Sequence, residues 1–178
     1  MLCRSGQSTI NIDETNVLIF GGATSKESDK TVLFNIWTGK VNVLTNVNKA
    51  PSNRFYHGMI NSGNGVALMY GGKDEEDLIL SEYWMFQVDT NKNSISYTTY
   101  KPKSSYFSMI FAWREGFSLH HSPTINHPII IGGGFGNNQQ GTSLLSLPSA
   151  FCADKEQFDK GDCTPCPRNS YFNLKLGY

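Results

Sequence analysis

The chain has 178 residues, and its 15 lysines and arginines balance 15 aspartates and glutamates, so its formal net charge is zero. That balance gives no electrostatic reason to expect a nucleic acid or an anionic membrane surface as a partner. No apolar run reaches the roughly 18 residues that span a bilayer. The opening residues, MLCRSGQSTINI, do not read as a signal peptide.

One pattern occurs three times: an arginine, then an apolar run, then two adjacent glycines. Gly21 and Gly71 lie 50 positions apart, and Gly71 and Gly132 lie 61 apart. A period near 50 is typical of a repeat architecture. The three stretches are RSGQSTINIDETNVLIFGG, RFYHGMINSGNGVALMYGG and REGFSLHHSPTINHPIIIGG. The repeat positions are Arg4, Arg54, Arg114, Gly21, Gly22, Gly71, Gly72, Gly132 and Gly133.

Each repeat is predicted to form short β-strands, with little helical periodicity, so the fold class is all-β. The first repeat gives STINID, NVLIFGG, TVLFNIW and KVNVL in chain order. The second gives HGMINS, GVALMYGG, EYWMFQVD and SISYTTY, and the third gives GFSLHH, HPIIIGGG and TSLLSLP without a clear fourth strand. Segment 101–113 accounts for the longer second period.

The repeated residues have a structural interpretation. A glycine pair after the second strand permits positive φ and close backbone approach. Phe34 and Phe86 follow in the third strand, where large rings would fill the gap between neighbouring repeats. The repeated arginines could bind acidic partners, but bonds to backbone carbonyls that fix neighbouring repeats are the favoured role.

These features resemble the kelch repeat family over about residues 4–147. The resemblance implies a partial β-propeller of about three four-stranded blades over residues 1–149. Family propellers usually have five to seven blades, so two apolar inter-blade faces would stay unpaired. We therefore expect a fragment of a longer chain, or a chain completed by further blades or by another chain. Because fold does not imply function, the family leaves the activity open.

Residues 150–178 differ in composition and contain Cys152, Cys163 and Cys166. The stretch CTPCPRNSYF resembles the start of ephrin-receptor-like or growth-factor-receptor-like cysteine-rich repeats, with Asn169 where they usually have glycine. The resemblance implies disulfides, with Cys152 paired to Cys163 and Cys166 paired beyond the chain. A zinc site using the C-x2-C pair, or free thiols in a reducing compartment, are the alternatives.

No catalytic residue, metal site or cofactor is predicted. His120, His121 and His127 form the one tight histidine cluster, but adjacent strand residues point to opposite faces, so His120 and His121 do not easily share an ion. Galactose-oxidase-like copper enzymes have a kelch-like propeller, and a propeller enzyme of that kind or a sugar-active one is an alternative.

The leading hypothesis is a non-enzymatic protein-interaction module that binds protein partners through inter-strand loops. A purely structural scaffold is a further alternative. The cysteine pattern favours an extracellular or cell-surface location, and the absence of a signal peptide and of N-glycosylation sequons favours the cytoplasm. The predicted binding loops are 23–30, 73–81 and 134–141, with Lys26, Asp29, Lys73, Asp74, Glu75, Asn137 and Asn138 as candidate residues.

Overall fold

The computed structural model describes residues 4–23, 30–80, 82–100, 114–122, 127–131, 134–135, 139–140, 144–146, 156–159 and 162–165. These residues form strands, turns and loops, and no helix occurs among them. The all-β class expected from the sequence is therefore confirmed at this level. The strands fall into separate sheets that do not close into a ring among the described residues.

The first sheet is antiparallel, with its four strands in chain order. Alternating valine, isoleucine and leucine favour this pleated arrangement, because β-branched and apolar side chains pack well on a sheet surface. Turns rich in asparagine, aspartate, threonine and glycine join the strands. The strands are β1 Ser8–Asn11, β2 Asn16–Phe20, β3 Val32–Asn35 and β4 Val41–Val43.

The second sheet has five strands rather than the four predicted, in the order β5-β9-β8-β7-β6. The extra strand belongs to the connector from the first sheet and runs parallel to β9. Asn48 extends this edge, because its side chain bonds both the carbonyl (2.7 Å) and the amide (2.8 Å) of Tyr97. The strands are β5 Thr45–Asn46, β6 Gly58–Gly63, β7 Val66–Tyr70, β8 Tyr83–Asp89 and β9 Ser94–Tyr100.

The third sheet has three strands in the order β11-β12-β15. They coincide with the three segments predicted for the third repeat. A smaller sheet and a hairpin accompany it, and the hairpin in the cysteine-containing tail was not predicted. The strands are β10 Arg114–Glu115, β11 Ser118–Ser122, β12 His127–Ile131, β13 Gly134–Phe135, β14 Gln139–Gln140, β15 Leu144–Ser146, β16 Glu156–Asp159 and β17 Asp162–Pro165.

The first strand of each repeat lies beside the first strand of the next repeat, so β6 has β1 on one side and β11 on the other. Asn61 donates from its side-chain amide to the carbonyl of Asn11 at 2.6 Å. Phe117 lies close to Gly58 on the other side of β6. The sheets are thus arranged side by side through the first strands of the repeats, and successive sheets face each other across apolar layers.

The main core lies between the first and second sheets. Phe86 is fully buried there, with its ring centroid 5.0 Å from Phe20 and 4.9 Å from Tyr97. Leu18 and Met69 are fully buried in the same cluster. These rings and aliphatic chains remove apolar surface from water, which is the dominant stabilising term for such sheets.

Phe34, the counterpart of Phe86 in the first repeat, lies differently. It pairs with Val17 and Val41 across the first sheet, on the face opposite to Leu33 and the core, and it is only half-buried. Phe86 therefore lies between two sheets, whereas Phe34 lies on a face that no second sheet covers in the same way.

The interface between the first two sheets also contains a polar chain. The hydroxyl of Tyr97 lies 2.8 Å from the Thr31 hydroxyl and donates to Asn46 at 2.9 Å. Burial raises the pKa of Tyr97, and the bond to Thr31 partly offsets that rise. The phenol is therefore satisfied without ionisation, as a buried polar group must be.

Backbone hydrogen bonds link the three repeats in series, and we call this series the backbone ladder. Each bonded residue lies two positions after the arginine of its repeat. The amide of Tyr56 donates to the carbonyl of Gly6 at 2.8 Å, and the amide of Gly116 donates to the carbonyl of Tyr56 at 2.9 Å. All three residues have positive φ: 71° at Gly6, 58° at Tyr56 and 63° at Gly116. The repeats therefore share one backbone conformation at the point where neighbouring sheets join.

The first glycine pair also lies at this junction. Gly22 donates from its amide to the carbonyl of Arg54 at 2.8 Å. A Cβ on Gly21 would collide with the Arg54 carbonyl and lie 2.6 Å from the His57 ring. Gly132 and Gly133 lie outside the described residues.

We predict that Gly21→Ala lowers the free energy of unfolding by about 2–4 kcal/mol, because the added methyl meets backbone as well as an unfavourable φ. Gly39→Ala is the matched control: Gly39 has φ 68°, but nothing lies within 4 Å of its added Cβ. The control should lose only about 1 kcal/mol. Urea unfolding measures both, and equal losses would show that the close approach at Gly21 is unimportant.

Candidate functional site

Of the three loops predicted to bind partners, the one after β7 is described in full side-chain detail except at residue 81. Lys26 and Asp29 in the first loop and Asn137 and Asn138 in the third lie outside the described residues. The candidate site is therefore built from the second loop, with Lys73, Asp74 and Glu75, and from the residues packed against it.

Hydrogen bonds within the loop define its shape. The carboxylate of Asp74 accepts from the amides of Glu76 and Leu78, both at 3.0 Å. The amide of Asp74 donates to the carbonyl of Leu78 at 3.0 Å, and Asp77 has a positive φ of 61°. Aspartate suits such a turn because its short side chain bonds nearby backbone amides. The loop is thus held by its own bonds.

Lys73 connects the loop to the start of the second repeat. Its backbone exchanges two hydrogen bonds with Phe55, both 2.9 Å long. Its ammonium lies 2.7 Å from the carboxylate of Asp77, and 5.1 Å and 5.7 Å from the ring centroids of Phe55 and Tyr56. Both ring distances are within cation–π range. Lys73 therefore binds within the protein and is not extended into solvent.

The outer side of the loop combines apolar and acidic groups. Leu78 is 57% exposed and Tyr56 is 48% exposed. Glu75 and Glu76 are exposed, and Glu75 accepts a bond from the Asn53 side chain at 2.9 Å. We define the loop surface as Phe55, Tyr56 and residues 73–78. A tyrosine and a leucine bordered by carboxylates can bind an apolar group flanked by positive charge.

Beneath this surface, Arg54 fixes the end of β7. It is fully buried and donates to the carbonyl of Gly71 at 3.3 Å, to Ser52, and to the carboxylate of Glu82 at 3.1 Å. Trp84 donates to the same carboxylate at 2.9 Å. Burial lowers the pKa of Arg54, and Glu82 raises it in return. The guanidinium stays charged because the ordinary pKa of arginine lies far above neutrality.

Arg4 makes the corresponding contacts in the first repeat. It donates to the carbonyl of Gly21 at 3.1 Å and to the carbonyl of Lys30 at 2.7 Å. Both arginines thus donate to the carbonyl of the first glycine in their own repeat. Arg114 lies in β10, where it pairs with Phe135, and its side chain lies outside the description.

His57 lies between the first two sheets, next to the Arg54 backbone. Its ring meets Phe20 edge-on at 5.5 Å, and within the described part of the chain neither ring nitrogen has a hydrogen-bond partner. Burial, together with the charge of Arg54, lowers the pKa of His57 to about 3, although the Arg54 backbone carbonyl opposes this. The ring is therefore neutral at physiological pH and acts as a packing group.

The strand register places His120 and His127 on one face of the β11–β12 pair and His121 on the other. His120 and His121 lie in β11, opposite Ile129 and Pro128 of β12. His127 lies in β12, opposite Ser122. Among the residues that the structure describes, no group of three or more histidine, cysteine, aspartate or glutamate side chains could hold a metal ion. Cys163 lies opposite Phe158 in the tail hairpin, and Cys152 and Cys166 lie outside the described residues.

Tyr56 lies outside the predicted binding loops, and Leu78 lies within the predicted loop 73–81 but was not among its candidate residues. A signal for Tyr56 existed: it occupies the position held by Gly6 and Gly116 in the other repeats. A tyrosine forced into positive φ is uncommon and is often associated with a functional site.

No protein-family model and no curated protein matches the chain. Within the described segments, no helix is long and apolar enough to cross a bilayer.

We predict that Arg54→Met lowers the free energy of unfolding by about 2–4 kcal/mol, because it removes the hydrogen bonds of a fully buried guanidinium and leaves the buried Gly71 carbonyl without that donor. Lys92→Met is the matched control, since Lys92 pairs with Asp89 but its side chain is 80% exposed. An exposed pair contributes below about 1 kcal/mol. Similar losses in the two variants, measured by urea unfolding, would contradict the anchoring role of Arg54.

A second prediction concerns pH. The unfolded chain protonates His57 near pH 6.5 and the folded chain only near pH 3, so the unfolded state binds more protons in between. Stability should therefore fall as pH drops below 6.5, by about 2 kcal/mol from this group between pH 7 and pH 5.

His57→Leu should lose that part of the pH dependence, whereas His120→Gln, which changes an exposed histidine, should keep it. Urea midpoints at pH 7 and pH 5 give the comparison for all three proteins. A pH response in His57→Leu equal to that of the wild type would show that His57 is not the titrating group.

Proposed function

We propose that this chain is a non-enzymatic protein-interaction module, built as part of a kelch-type propeller, that binds a protein partner through the loop surface. The observation that carries the proposal is an exposed Leu78, on a loop held by Asp74 and Lys73, together with an exposed Tyr56 whose ring lies 5.7 Å from the Lys73 ammonium. Because those bonds already order the loop, little conformational entropy remains to be lost when a partner binds.

The kelch-type assignment is supported by the repeat geometry. The equivalent arginines Arg4 and Arg54 donate to Gly21 and Gly71, and the first strands of successive repeats lie side by side. Inter-strand loops at one end of such sheets are where propellers and other β-folds place their binding residues.

The composition of the loop surface indicates the class of partner. Residues 74–77 are Asp-Glu-Glu-Asp, and Lys73 is already paired with Asp77, so the exposed charge is negative. Tyrosine is among the side chains most enriched at interface hot spots. We therefore propose a partner segment with one large apolar side chain flanked by lysine or arginine.

We predict that a random twelve-residue peptide library displayed on phage yields binders rich in lysine and arginine. Calorimetry with a selected peptide should show at least a tenfold loss of affinity in Tyr56→Ser/Leu78→Ser, which corresponds to about 1.4 kcal/mol or more. Val47→Ser is the control, because Val47 is 67% exposed but lies outside the loop surface. Unchanged affinity in the double variant would refute the site assignment.

A further inference from the structure

The first sheet has two apolar faces, and they have different surroundings. One face, with Leu18, Phe20 and Leu33, is buried against the second sheet. The opposite face contains no charged residue; its edge is open, with Val41 54% and Val43 47% exposed, whereas Val17, Ile19 and Phe34 are half-buried and Val32 is buried. We call this opposite face the outer face; the pairing of the strands places Thr9, Asn11, Val17, Ile19, Val32, Phe34, Val41 and Val43 on it.

The corresponding face of the second sheet is covered. The glycine pairs and the phenylalanines of the two repeats align Val17 with Ala67, Ile19 with Met69 and Phe34 with Phe86. Ala67, Met69 and Phe86 are fully buried against the first sheet. The outer face of the first sheet is therefore equivalent to the face of the second sheet that packs against the first sheet.

The junction between the second and third sheets uses the same arrangement. The ring of Phe117 lies 5.7 Å from that of Tyr70, and a Cβ on Gly58 would meet Phe117 and Leu119. Tyr70 occupies the position of Phe20 in its repeat. Each sheet thus presents the face that contains Phe20 or Tyr70 to the sheet that follows.

The backbone ladder has matching ends. Its links join the Gly6 carbonyl to the Tyr56 amide and the Tyr56 carbonyl to the Gly116 amide. A further hydrogen bond in the same direction would join the Gly116 carbonyl of one chain to the Gly6 amide of another. On the third sheet, Ser118, Ile131 and Leu144 form a cross-strand row. Ile131 directly precedes the third glycine pair, as Phe20 and Tyr70 precede the glycine pairs of their repeats.

We propose that the outer face is the docking site for a second copy of this chain, which places the far face of its third sheet on it. The second copy is favoured because the chain itself contains both halves of this junction, which already occurs twice within it. Two copies arranged head to tail would use both ends and form a ring of six sheets, within the range of about four to eight blades known for propellers. This inference is independent of the loop surface.

The first test is sedimentation velocity on the full chain from 1 to 100 μM, which should show a species of about twice 19.8 kDa. Val41→Asp/Val43→Asp should weaken self-association at least tenfold, because it places charge in a desolvated contact. Val47→Asp should not, since Val47 is more exposed than either valine but lies outside the outer face. Circular dichroism and thermal unfolding establish that each variant is folded.

A mixing experiment tests the head-to-tail arrangement. Val41→Asp/Val43→Asp blocks the outer face, and Leu144→Asp introduces charge at the register position opposite Ile131 in the third sheet. Each variant should be monomeric alone, and an equimolar mixture should form a dimer through the one intact pair of faces. A wild-type chain that stays monomeric at 100 μM, unchanged assembly in Val41→Asp/Val43→Asp, or a mixture without dimer would overturn the proposal.

Discussion

The packing of one sheet against the next is the interaction on which this structure depends. A sheet of four short strands has no interior of its own, so its apolar side chains must be covered by another layer. Phe20, Phe86 and Tyr97 provide that cover between the first two sheets, in edge-to-face contacts that aromatic rings favour. The sheets therefore depend on their neighbours for stability, as repeats generally do.

The close approach of the sheets constrains their ends. At Gly21 the Arg54 carbonyl and the His57 ring occupy the space of a side chain, and at Gly22 Gln7 and the Ser5 carbonyl occupy it. Arg54 is then positioned to bond Gly71, which links the end of one repeat to the junction with another. The loop after β7 begins at this fixed point, so the candidate binding surface is a consequence of how the sheets join.

The strands, the glycine pairs and the fully buried Phe86 were accessible from the sequence, because spacing and apolar runs determine them locally. The fifth strand of the second sheet was not: Thr45 and Asn46 have no strand-like pattern and pair only because the connector passes along β9. Phe34 has the same sequence context as Phe86 but differs in burial, since burial depends on whether a neighbouring sheet is present. The loop residues Lys73, Asp74 and Glu75 could be chosen by position, but the exposure of Tyr56 and Leu78 arises from tertiary packing.

The measurement that tests the central claim most directly is nuclear Overhauser spectroscopy of the folded chain, with the rings of Phe20, Phe86 and Phe117 assigned. The account predicts cross-peaks between Phe20 and Phe86 and between Gly58 and Phe117, because the same face-to-face packing recurs at both junctions. Cross-peaks at only the first junction would contradict the repeated arrangement of the sheets, and their absence at both would contradict the packing as a whole.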